Sequence, residues 1–119
     1  MFAMFKEGLI RMEQLRNQVN TAVMHIEEFL SLLIIGRNEM ADRYVPVITR
    51  LLNDIIPKII KYTGKDELSA SQDSAIWVQL LKNVIDAMES DDGFVIVDAY
   101  KDMVEMLRYY LNSMEIENG

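Results

Sequence analysis

His25 is the only histidine in the chain, and it stands among nineteen carboxylates and no cysteine. Those three facts bound the chemistry. A di-iron bundle needs Glu-x-x-His on two helices, and one histidine cannot supply it. A zinc site of several imidazoles or thiolates fails on the same inventory. The stretch "SDDG", Ser90 to Gly93, has a faint likeness to a calcium loop. With Gly93 at the sixth position, Met88 would fall at the first and Ala99 at the twelfth, where carboxylates are required. The five glycines are isolated, so there is no phosphate-cradling loop. The pairs Glu27/Glu28 and Asp98/Asp102 fall on faces expected to be exposed, without a pocket to tune a general acid or base. The residues therefore predict a protein that is not an enzyme, with no catalytic residue, no metal ligand set and no cofactor.

Side chains suited to binding are more plentiful. Of nine methionines, Met12, Met88, Met103 and Met114 fall at core spacing, and Met24, Met40 and Met106 fall nearer a boundary. Thioethers at a boundary suit an adaptable groove for a partner helix, although packing alone also accounts for them. Tyr109, between Arg108 and Asn112, is the aromatic expected to be exposed near the C-terminus.

Helices must position these groups. In "DDGFVIVDAYKDMVEMLRYYLNSM", Ile96, Tyr100, Met103, Leu107, Tyr110 and Met114 recur at steps of four and three. Asp98, Lys101, Glu105, Arg108 and Asn112 form a polar stripe at the same steps. Interleaved stripes of this kind mean an amphipathic helix, with Asp91 or Asp92 as N-cap. In the first segment Phe5, Leu9, Met12, Val19, Ile26, Leu30 and Leu33 share a face, and Gly36 is placed to stop the helix in a left-handed conformation. Asn38 is the expected cap of the next helix. Ser69 and Gln72 have capping-box spacing, ahead of a helix that turns Trp77, Leu81, Val84 and Met88 inward. The expected helices run over about 4–35, 39–62, 72–89 and 93–114.

The second helix contains "VPVITRLLNDIIPK", with prolines at 46 and 57. Eleven residues at about 100° each bring the two within about 20° of one another. Their shared face carries Arg50, Asn53 and Lys61, and the opposite face Ile48, Leu52, Ile55 and Ile59. An interior proline loses a hydrogen bond and crowds the carbonyl four residues back. One helix bent at Pro46 and Pro57, convex toward water, follows. The alternative places Pro46 in the first turn of a helix that starts late.

Four amphipathic helices with short links predict one all-α domain, an antiparallel up-down-up-down four-helix bundle. The first helix, about 46 Å long, should overhang the third, about 26 Å. The overhanging end carries Phe2, Met4, Phe5 and Leu9, apolar groups expected to meet a partner.

Charge narrows the partner. Residues 1–65 hold nine basic and seven acidic side chains, whereas residues 66–119 hold three and twelve. The net charge is −7. An acidic second half opposes nucleic acid, which needs a basic stripe. It fits a basic partner or a solvated face. Lys6 and Glu7 interrupt the N-terminal apolar run where a signal peptide would continue it. The run around "LLIIG" is far shorter than the ~20 residues that span a bilayer. A cytoplasmic protein that binds neither membrane nor nucleic acid is expected.

Two resemblances bear on function. A helical bundle with one histidine on an exposed flank resembles a histidine phosphotransfer domain, which would make His25 the phosphoryl acceptor. Those domains carry lysine and glycine at the third and fourth following positions, whereas this chain has Glu28 and Phe29. Carboxylates beside the acceptor would repel the phosphoryl group. The segments "EGLIRMEQL", "VITRLLNDIIPKIIKY" and "VIVDAYKDMVEMLRYYL" are similar to a set of small bacterial helical-bundle proteins, distantly like flagellar export chaperones. That likeness implies an acidic bundle that cradles a partner's helix. The tyrosine-rich, threonine-containing N-terminal segment of flagellin-export chaperones is missing, and no binding residue is carried over. The chain thus reads as a non-enzymatic adaptor or chaperone-like module that captures a partner helix, with Phe2, Met4, Phe5, Leu9 and Tyr109 as contacts. Phosphotransfer through His25 and a purely structural homodimer are the alternatives.

Overall fold

The computed structural model describes residues 2–63 and 67–118, with side chains described over 12–61 and 74–112. Its helices are α1 (Phe2–Ile34), α2 (Asn38–Asp42), α3 (Tyr44–Thr63), α4 (Glu67–Ser90) and α5 (Gly93–Asn118). The four long helices form an antiparallel up-down-up-down bundle in the ring order α1–α3–α4–α5, and α2 packs on α1 and α3. Side-chain pairings fix the directions. Glu28 meets Tyr44 while Gln18 meets Asp54 and Lys58. Phe29 packs on Tyr100, and Trp77 on Tyr110.

The apolar stripes make the core. Val19, Ile26 and Leu30 of α1 are buried with Ile48, Leu52, Ile55 and Ile59 of α3, Trp77 and Val84 of α4, and Ile96, Tyr100, Met103, Leu107 and Tyr110 of α5. Met12, Leu33, Leu81 and Met88 are half-buried at its margin. No polar side chain is buried among the described residues, so burial of apolar surface, worth roughly 25 cal/mol per Å², is what holds the helices together.

Gly36 ends α1 as the sequence predicts, at φ +81°. The amides of Gly36 and Arg37 turn back to the carbonyls of Leu33 and Leu32, at 3.1 and 2.9 Å, which satisfies two carbonyls at the open helix end. Asn38 is not the cap expected of it. Arg37 holds that position without a side-chain bond, because its amide closes α1 while its carbonyl receives the Ala41 amide at 3.0 Å. At the other tight link the cap is Asp92, whose Oδ1 accepts the Phe94 amide at 3.0 Å. Asp91 takes the left-handed turn at φ 53°.

The single helix expected over 39–62 is divided at Arg43 into α2 and α3. Pro46 explains the division. It has no amide for the carbonyl of Asp42, and its ring would crowd that carbonyl. The chain therefore ends α2 at Asp42 and puts Pro46 in the first turn of α3, where the missing amide costs nothing. Pro57 does lie inside α3. Both prolines are exposed with Arg50, Asn53 and Lys61, the face predicted for them.

The third long helix begins at Glu67 rather than near Gln72, so Ser69 and Gln72 lie within α4 and not at a capping box at its start. Their side chains fall outside the described residues, as does that of Met114. At 24 residues α4 is about 36 Å long, against about 50 Å for α1. The difference in length is smaller than the sequence predicts.

Candidate functional site: a groove on the α1 flank

The Gly36 turn and the Pro46 break lay α2 back against the last turns of α1. A groove opens there with a volume of about 560 Å³. Its α1 wall is a stripe from Met24 through Glu27, Glu28, Ser31 and Leu32 to Ile35; Met40 of α2 and Tyr44 of α3 form the other wall. Met24 and Ile35 are 62% and 65% exposed, so the two ends of the stripe face solvent. Ser31, small and exposed between them, leaves a low point where an incoming side chain can seat.

Glu27 and Glu28 are the only charged side chains lining this groove among the described residues. Each is half-exposed, and each has a partner inside the molecule. Glu27 is ion-paired with Arg108 of α5. Glu28 accepts the Tyr44 hydroxyl at 2.6 Å. That hydrogen bond is the main cause holding the Tyr44 hydroxyl above the ordinary tyrosine value, with desolvation and the carboxylate's charge adding to it. A carboxylate has room for further donors, so both remain able to receive a cation.

Order along α1 carries the information. At 1.5 Å per residue, Met24 stands about 6 Å from Glu28, and Ile35 about 10 Å beyond it. The wall therefore reads apolar, acidic, apolar over about 16 Å, some three helical turns. A second helix alongside has the same rise, so its complement is apolar, basic, apolar at matching steps.

His25 sits at the edge of this site. Its side chain is one-third exposed, with Nδ1 at 4.0 Å from Glu28 Oε2. The ring lies tilted against Tyr44 at 5.8 Å, and Nδ1 is buried without a hydrogen-bond partner among the described residues. Tyr109 is 64% exposed on α5, edge-on to Tyr110 at 5.6 Å, and does not line the groove. Phe2, Met4, Phe5 and Leu9 belong to the first turns of α1, and their side chains lie outside the described residues.

Met24 and Met40, read from the sequence as boundary methionines, meet across this one groove. Glu27, Glu28, Leu32, Ile35 and Tyr44 were not singled out as contacts. Their one sequence signal is Ile35, an apolar residue at the helix stop that continues the line of Met24 rather than the core stripe.

Comparison with known proteins adds no relative: no protein family, curated protein or solved structure matches the chain. Among the described residues, no helix is long and apolar enough to cross a membrane.

Proposed function

We propose that the chain is a non-enzymatic, cytoplasmic protein-binding module, adaptor or export-chaperone-like, that captures an amphipathic helix of a partner protein in the α1 groove. One observation carries the reading: an open apolar groove walled by two methionines, with two carboxylates as its lining charges. Unbranched thioethers re-pack around different side chains, and carboxylates set within an apolar wall favour a helix with a lysine or arginine between apolar residues. The Phe2–Leu9 turns of α1 remain a second contact surface in this proposal. Phosphotransfer through His25 gains no support, since Glu28 stands at 4.0 Å from Nδ1 and would repel a phosphoryl group.

The test starts with capture from native extract on tagged protein. The helical segment of the retained protein is then made as a peptide and titrated against wild type, Met24→Glu and Ile35→Glu. Each substitution should weaken binding about tenfold or more, as loss of one seated apolar anchor does. Equal affinity for wild type and both variants would overturn the groove as the capture site.

A further inference from the structure

The chain has nine methionines and no cysteine, so thioethers are its only sulfur open to oxidation. Their exposure is uneven. Met103 is fully buried in the core, and Met12, Met88 and Met106 are half-buried. Met24 and Met40 are 62% and 45% exposed, and both line the α1 groove. Among the described side chains, the two methionines that an oxidant in water reaches most readily are therefore the two that wall the binding site.

We propose that Met24 and Met40 form an oxidation site, at which hydroperoxides convert both thioethers to sulfoxides and so close the groove to a partner helix. The inference rests on the groove being a helix-binding site. In each step a sulfur lone pair attacks the terminal peroxide oxygen. An S–O bond forms as the O–O bond breaks. The proton of the transferred hydroxyl passes to the departing oxygen, which leaves as water or an alcohol. Sulfur loses two electrons and the peroxide gains them. Sulfoxides are reduced again by their own reductases, so the change is reversible.

The surroundings decide what the added oxygen does. A sulfoxide replaces an apolar, pliable side chain with a polar one whose oxygen needs a donor when buried. The charged groups of the groove are the carboxylates of Glu27 and Glu28, which accept and do not donate. The Tyr44 hydroxyl is already given to Glu28. An apolar side chain seated on oxidised Met24 would bury that oxygen unpaired. Met40 has a different outlet. It also borders a second cleft, with Gly36, Arg37, Asn38 and Glu39, and Arg37 Nη1 stands 4.0 Å from its sulfur. A thioether is a weak acceptor for that guanidinium. A sulfoxide oxygen is a strong one, and would hold the Met40 side chain on Arg37 and away from the groove.

Oxidation interference tests this. The probe is a designed helical peptide of alanine and glutamine. It carries leucines eleven residues apart, to match Met24 and Ile35, and a lysine four residues after the first leucine, to match Glu28. Protein partly oxidised with hydrogen peroxide is passed over the immobilised peptide, and both fractions are mapped by mass spectrometry. Sulfoxides at Met24 and Met40 should form before that at Met103, and should be enriched about tenfold or more in the unbound fraction. Circular dichroism of that fraction should show the helices intact. Treatment with methionine sulfoxide reductases A and B, one for each epimer, should return it to the peptide. Met103 oxidised as fast as either groove methionine, or Met24 and Met40 sulfoxides shared equally between the fractions, would overturn the proposal. If unoxidised protein then still loses the peptide on Ile35→Glu, only the oxidation site fails. If unoxidised wild type does not hold the peptide, or Ile35→Glu holds it equally, the helix-binding groove fails with it.

Discussion

Glu28 accepts the Tyr44 hydroxyl while standing 4.0 Å from His25 Nδ1, so one carboxylate joins α1 to α3 at the groove wall. Its charge favours the protonated phenol. Because the folded value of Tyr44 is raised, the stabilisation from this bond is present below the unfolded value, near pH ~10. It is lost as pH rises through the folded one. Glu28→Gln should therefore lower the Tyr44 midpoint in a spectrophotometric titration. Tyr100 is also raised, through burial alone, and its midpoint should stay where it is. A Tyr44 midpoint indifferent to Glu28→Gln would refute the role given to this bond. The sequence could not pair these residues: they are sixteen positions apart, and a turn whose path depends on Gly36 lies between them.

Proline plays two roles on one helix. Pro46 lies in the first turn of α3, where its lack of an amide is harmless, whereas Pro57 lies inside the helix and removes a bond that the helix would otherwise make. Pro57→Ala should raise stability by about 1–3 kcal/mol in denaturant unfolding. Pro46→Ala should change it by no more than about 0.5 kcal/mol. Equal effects would refute the division of roles. Four long helices, their inward faces and the Gly36 stop were all legible in the sequence, because periodicities of three and four report directly which side is buried. The start of α4 was not. "ELSAS", from Glu67 to Ser71, has no apolar stripe, and a polar segment in helical conformation leaves the same trace as a loop. The division at Arg43 was one of two readings left open by Pro46, since local sequence does not say which side of a proline the break falls on. The groove was half legible. Its methionines stood out by type, but the acidic and apolar side chains between them look like an ordinary solvated flank until α2 folds back beside them.

Across the whole molecule, the ring is closed by the seam between α1 and α5, where Phe29 packs edge-on against Tyr100 at 4.9 Å and Glu27 pairs with Arg108, 81 residues away. The other three seams join long helices that follow one another in the chain, with only the short α2 between α1 and α3. Closing a long loop costs entropy before its contacts repay it, so the bundle has a preferred order of assembly. The α4–α5 hairpin, with Trp77 against Tyr110, is expected to form early, and docking of α1 on α5 late. Phe29→Leu should then accelerate unfolding and leave the folding rate nearly unchanged in stopped-flow chevrons, while Val84→Ala slows folding. A folding limb that Phe29→Leu depresses as strongly as Val84→Ala would place the seam in the nucleus instead. With late docking, the seam beside the groove is also the first to part when the native protein begins to open, so amide exchange along the α1–α5 face would report the earliest loss of the binding site.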